Sequence, residues 1–276
     1  MNKKSNIKIL IALIHNNNKT RNEYIWPKLR ELKRELSKDV QIQIIEVSKE
    51  PQVLPNNTLT TLVIKLSYWK IEREWVRYRE LRPRSFVLDI AAAIRLLVLT
   101  FIHRKRENIR TVNDSFVTDK HIRAWNIFFE MEYDFLICFE DDAVFHNNSI
   151  QILKIFLREI QKNKKNPVYL DLGGGCDYKT LGMDKLEYKR DKYRRYYRKP
   201  GTNTVCAYMI SRISVQAVLQ YLLRHPQLRL IAPDWLLIKF FIDSFTKYKH
   251  ICYHAAPSIF SHGSITGVYP SLHLKN

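Results

Sequence analysis

Residues 7–14, IKILIALI, are apolar at all positions but one, the pattern of a strand buried on both faces. The asparagines at 16–18 predict the loop that ends it. From Thr20 to Lys38 the apolar positions take a helical period, with Leu29, Leu32 and Leu36 on one face. VQIQIIEV (40–47) alternates like a strand, and TLVIKLS (61–67) reads as another. Strand, helix, strand, strand with apolar interiors predicts an α/β sheet of nucleotide-binding type. The middle of the chain reads as helical. SYWKIEREWVRYREL mixes aromatics with charges, and LDIAAAIRLLVLTFIHRKREN (88–108) predicts one long apolar helix with a basic C-terminus. That helix is either part of the core or an in-plane membrane contact, and Arg95 as its only interior charge favours the core. TDKHIRAWNIFFEME (118–132) predicts a helix capped by Thr118 that runs into a strand at 135–139.

All seven glycines lie beyond residue 172, which places the special backbone geometry in the second half. YLDLGGGCDYKTLG predicts a strand entering a glycine turn, and KRDKYRRYYRKPGTNT a basic aromatic loop. NTVCAYMISRISVQAVLQYL reads as a strand and a helix, and APDWLLIKFFID as a short helix entered through Pro233 and Asp234. YHAAPSIFSHGSITG reads as a loop carrying His254 and His262.

Composition narrows the class. With 276 residues, 46% hydrophobic and 12% aromatic, the chain can bury a full core, and disordered or collagen-like chains are excluded. The four cysteines, Cys138, Cys176, Cys206 and Cys252, form no CxxC and no zinc spacing, which predicts free thiols in a reducing, cytoplasmic setting. The N-terminus imitates a signal peptide but lacks a small-residue cleavage site, so a first strand is the better reading. No apolar run reaches the ~18 residues of a membrane span. A net charge of +19 points to polyanionic partners or to a surface solvated by lysine.

Against that charge, FLICFEDDAVFHN (135–147) concentrates Glu140, Asp141 and Asp142 where an apolar strand ends. Side chains alternate along a strand, so Glu140 and Asp142 face one way and Asp141 the other. The C-terminal end of a strand is where α/β sheets bind ligands, and paired carboxylates there suit Mg²⁺ or Mn²⁺. A solvated acidic turn is the plain alternative.

FLICFEDDAVF resembles the acid triplet of GT-A-fold glycosyltransferases. HNNNKTR and HIRAW (His121, Trp125) resemble elements of the lipooligosaccharide and collagen galactosyltransferase family, glycosyltransferase family 25, with Lys120 where that family usually has Ser. PDWLLIKFF (Asp234, Trp235) and PSIFSHGSITG (Pro257, Phe260, His262) resemble the later elements of the branching N-acetylglucosaminyltransferase IV family, although Gly263 follows His262 directly. The resemblance implies a single GT-A-like α/β domain over 1–276, a Rossmann-like mixed sheet flanked by helices. Residues 1–145 would form its nucleotide-sugar half and 146–276 its acceptor half. It further implies Mn²⁺ (or Mg²⁺) held by Glu140, Asp142 and His262, and a UDP-sugar donor contacted by Asp141, Arg21, Gly174 and Gly175. Asp234 would be the general base of an inverting transfer to a glycan or glycolipid hydroxyl, with Asp177 and Asp184 the next candidates for the base. Taken singly, Asp234 equally reads as a helix cap and His262 as a surface histidine.

The KYRRYYRK segment (192–199) reads first as a solvated flexible loop. It and the charge also fit acceptor contact or peripheral contact with an anionic membrane at its inner face. They also fit a nucleic-acid-binding protein, but no nucleic-acid motif accompanies them. A metal-dependent phosphodiesterase is the third reading, and the nine histidines do not cluster for a two-metal site.

Overall fold

The computed structural model describes residues 7–48, 57–81 and 85–269. Strand β1 (Lys8–Ile14) leads through helix α1 (Lys19–Leu36) to β2 (Gln41–Val47). Three helices follow, α2 (Thr58–Tyr78), α3 (Phe86–Ile102) and α4 (Arg104–Glu130). Then come β3 (Phe135–Glu140), β4 (Ala143–Phe145), α5 (Ser149–Ile160), β5 (Val168–Asp171) and β6 (Gly173–Gly174). The remainder comprises β7 (Glu187–Arg190), β8 (Arg194–Tyr197), β9 (Ala207–Ser211), α6 (Arg212–Arg224), α7 (Pro233–Ser244), β10 (Ile251–Ala255) and β11 (Phe260–His262).

Eight strands form one mixed sheet in the order β2-β1-β3-β9-β5-β10-β8-β7, and β4-β11-β6 form a small second sheet. β1 runs parallel to β2 and β3, whereas β9 is antiparallel to both β3 and β5. Strand alternation divides the core into two layers. Leu10, Ala12 and Ile14 of β1 and Leu136 and Cys138 of β3 pack with Trp125 and Phe128 of α4 and with Phe240 and Phe241 of α7. Ile9, Ile11, Leu13, Phe135, Ile137 and Phe139 pack on the other side with Leu29 and Leu32 of α1 and Phe156 of α5. Because helices cover both faces, the central strands read as continuous apolar runs, and the α/β expectation is met.

Several local expectations are corrected. TLVIKLS is not a strand but part of α2. Asn57 caps that helix by accepting from the Thr60 N–H at 2.8 Å, and Thr61, Ile64, Ile71 and Trp75 form its buried side. A short apolar run has no intrinsic preference between the two periods, and the cap decides it. The 88–108 helix is two helices, α3 and α4, meeting at His103 with a 102° bend. Its assignment to the core is overturned too: only Asp89 and Thr100 of α3 are buried. Thr118 caps nothing; it lies within α4 and donates to the carbonyls of Asp114 and Ile231. The basic aromatic segment is a strand pair, β7 and β8, with Arg194, Tyr196 and Tyr197 buried. Asp191 accepts from the Tyr193 and Arg194 N–H groups and pairs with the Arg194 guanidinium, so the cation is neutralised inside the sheet edge. The predicted loop around His254 and His262 likewise contains β10 and β11.

Cys138, Cys206 and Cys252 are buried, and Cys176 is exposed; all four are free thiols. Among the described residues no single helix is long and apolar enough to cross a membrane.

Candidate active site

The acids sit where β3 ends beside the β1–α1 loop. β3 ends at Glu140 and Asp141–Asp142 form a turn, so it is the turn and not strand alternation that brings Glu140 and Asp142 to His262 and Asp141 to Arg21. Asp141 is turned toward α1: its carboxylate accepts from the Asn16 N–H at 3.0 Å and from Arg21 Nη1 at 2.8 Å. Arg21 is held there because Asn18 caps α1, accepting from the Arg21 N–H, and so aims the first helical turn at the acids.

Asp142 faces β11 across the small sheet, where His262 pairs with Ala143. The Gly263 N–H donates to the Asp142 carbonyl at 2.9 Å, and the Ser264 hydroxyl donates to the Asp142 carboxylate. His262 Nδ1 lies 3.0 Å from Asp142 Oδ2 and His262 Nε2 lies 4.0 Å from Glu140 Oε2. Burial by itself would raise the Asp142 carboxyl, but His262, Ser264 and Arg21 outweigh it and hold the group below its ordinary range. Burial likewise lowers the His262 imidazole, and the Asp142 contact with the Glu140 and Asp234 charges reverses the shift upward.

Behind Glu140, α4 supplies an ordered support. His121 Nε2 is 3.1 Å from Glu140 Oε1, and His121 Nδ1 is 2.9 Å from the Tyr208 hydroxyl, which also accepts from Trp125 Nε1. The HIRAW motif therefore orients an acid rather than touching the open space. Such fixed partners of a ligating carboxylate set its direction and basicity.

Glu140, Asp142 and His262 bring one ligand atom each to within 4.8 Å of one another. Two carboxylates and an imidazole form a donor set that a divalent cation accepts, the oxygens suiting Mn²⁺ or Mg²⁺. Asp142 Oδ1 is buried without a hydrogen-bond partner, an uncompensated acceptor that a cation would satisfy. The residues present therefore fit the implied metal.

These acids line a cavity of about 610 Å³ that also contains Arg21, Lys120, Ser264 and Asp234. Asp234 enters it from the first turn of α7. Its Oδ1 accepts from the Trp235 N–H at 2.9 Å, so the capping role read from sequence is real in part. Burial raises its carboxyl to about 6, with the Asp114 and Glu140 charges adding to the shift. The start of α7 is fixed by Tyr68 of α2, whose hydroxyl accepts from the Ala232 N–H and donates to Asp114 of α4.

Not every expected residue reaches the cavity. Gly174 and Gly175 do not line it; a Cβ at either would strike Ser258 or Thr204, so they serve close packing beneath the site. Asp177 and Asp184, the alternative bases, are exposed and do not line it either, and Asp177 instead accepts from the Thr180 N–H. Three residues of the cavity escaped the sequence reading as functional groups: Lys120, Asp114 and Tyr68. Lys120 donates to the His15 carbonyl at 2.8 Å and to the Asn16 side chain. Burial lowers its pKa against the opposing pull of Asp141 and Glu140. A lysine beside His121 on an otherwise apolar helical stripe was the one signal for it.

The chain matches no protein-family model and no curated protein.

Proposed function

We propose that this protein is a metal-dependent inverting glycosyltransferase, moving a hexose or N-acetylhexosamine from a UDP-sugar to a glycan or glycolipid hydroxyl. The observation that carries the reading is the convergence of Glu140, Asp142 and His262 with Asp234, a carboxyl of pKa about 6, in one cavity. A bound Mn²⁺ or Mg²⁺ would supply Lewis-acid neutralisation of a sugar diphosphate. Glu140, Asp142 and His262 would hold it, with His121 orienting Glu140 and Ser264 orienting Asp142. Asp141 stations Arg21 beside that centre, and Lys120 adds a second fixed positive charge in the cavity. Asp234 takes the proton of the acceptor hydroxyl as its oxygen bonds the anomeric carbon. The carbon–oxygen bond to the diphosphate breaks, and its electron pair leaves with UDP. A base poised near neutrality suits that step. UDP as the carrier rests on the resemblance to both glycosyltransferase families.

Burial of Tyr196 and Tyr197 withdraws two of the segment's three tyrosines from stacking, which weakens a nucleic-acid reading. Only one metal-competent cluster occurs among the described residues, which weakens a two-metal phosphodiesterase. The test is calorimetry and turnover on EDTA-stripped protein with UDP-, GDP- and CMP-sugars and an oligonucleotide, with and without Mn²⁺. UDP should bind only with Mn²⁺, UDP-sugar should be consumed, and Asp142→Ala should lose both. Equal UDP binding with and without Mn²⁺, or normal turnover by Asp142→Ala, would refute the proposal.

A further inference from the structure

The most unusual surface of the molecule is α3. A soluble core helix hides its apolar side, but here the outward positions are apolar. Val87 is 73% exposed, Ile94 56%, Val98 49% and Phe101 59%. These positions recur at helical spacing and so share one face over the helix's length, about 25 Å for 17 residues. The opposite side is occupied, since Ala92 and Leu96 line the same cavity as the acids. An exposed apolar strip this continuous marks an interaction surface.

Charge identifies what covers it. Directly after α3 come four exposed residues, His103, Arg104, Lys105 and Arg106, followed by exposed Ile109. Neither Arg104 nor Lys105 has an ion-pair partner among the described residues. Glu107 in the first turn of α4 is already paired with Lys65, and Asp89, the acid of α3, with Arg73. The surface thus joins a strip of hydrocarbon to unopposed positive charge in a chain of net charge +19. A second copy would bring like charge to like, whereas an anionic bilayer offers both an apolar interior and opposite charge. α3 is shorter than the roughly 30 Å hydrocarbon core, and the chain turns through 102° after it, so it fits lying in the interface plane rather than spanning.

We propose that α3 and the basic turn after it form a docking surface for an anionic lipid bilayer. The apolar strip enters the headgroup boundary, Arg104 and Lys105 meet anionic headgroups, and Arg95 reaches back to them along its aliphatic stem. This inference is independent of the reaction proposed above.

Flotation of the full chain with vesicles of phosphatidylcholine alone, or mixed with phosphatidylglycerol, tests it. The wild-type protein should float with the mixed vesicles and release as salt rises. Each basic residue near such a surface contributes about fivefold, so Arg104→Glu with Lys105→Glu should weaken binding by at least about tenfold. Ile94→Ser with Val98→Ser should weaken it by about tenfold while circular dichroism and Mn²⁺-dependent thermal shifts stay as in wild type. Three results would overturn the proposal: no flotation of the wild type, flotation equal for wild type and both variants, or a wild-type dimer that the Ile94/Val98 variant converts to monomer. The last would make the face an interface between copies.

Discussion

Asp142 and Asp234 are carboxylates of one cavity whose surroundings push their proton affinities apart. Asp142 is crowded by His262, Ser264 and Arg21, which stabilise its charged form. Asp234 has burial and two neighbouring acids against its charge, which outweigh the backbone N–H groups of Trp235 and Asp234 itself. Opposed shifts of this kind assign roles, one group to remain an anion and one to exchange a proton. With a pKa of about 6, Asp234 is deprotonated above that value, so turnover should rise as pH passes through about 6 and level off beyond it. Asp234→Asn keeps the oxygen that accepts from Trp235 but removes the proton acceptor. The expected outcome is a kcat about 10² to 10⁴ lower with Mn²⁺-dependent UDP affinity nearly unchanged. Stability gives a second readout. A folded-state pKa above the unfolded one favours the fold at low pH, and that contribution is lost as pH rises through about 6. The Asn variant should therefore melt above wild type at pH 7 and lose that advantage near pH 4. A fully active Asp234→Asn enzyme would reduce Asp234 to a cap.

Elements bring these residues together through close backbone approaches. Gly263 follows His262 at the end of β11, and a Cβ there would lie 2.7 Å from the Asp142 carbonyl and 2.5 Å from the Tyr269 ring. That carbonyl accepts the Gly263 N–H, so an added methyl pushes the loop off the acid. Gly263→Ala should lower Mn²⁺-dependent UDP affinity by about tenfold or more, while destabilising the fold by about 1–3 kcal/mol, the usual cost of overpacking. Unchanged UDP affinity would show that this contact does not position His262. Gly267→Ala is the control for φ alone, because Gly267 has φ +79° but nothing within 4 Å of a Cβ. The same scale explains the misread segments. TLVIKLS suits either period until Asn57 nucleates a helix, and 88–108 passes from apolar to basic at a bend that no proline or glycine announces.

At the scale of the whole molecule, the candidate metal centre joins the end of β3 in the main sheet to β11 of the small sheet, segments far apart in the chain. A cation bound by Glu140, Asp142 and His262 would therefore brace the native state and leave the unfolded chain unaffected. Thermal melts of EDTA-stripped protein should rise steadily with Mn²⁺, by about 2.7 kcal/mol at a hundredfold excess over Kd. Asp142→Ala should show no such rise, and a flat wild-type response to Mn²⁺ would exclude the site. Much of this arrangement was legible in the one-dimensional pattern. IKILIALI and FLICFE announced central strands because both faces of the sheet are covered, and the acid run after Phe139 announced the candidate site. These are local properties: period, and a charge where burial ends. Asp234 and His262 were singled out by the resemblance to glycosyltransferase motifs, because singly they read as a helix cap and a surface histidine. What only the tertiary structure decided is how distant segments meet. Gly174 and Gly175 went to packing, Lys120 and Asp114 went to the cavity, and Arg194 with its tyrosines went into a sheet edge. α3 turned its apolar side outward because α2 and α4 occupy its other flank and the core was already filled from elsewhere. Periodicity reports that a face is apolar; only the assembled packing determines whether that face looks inward or out.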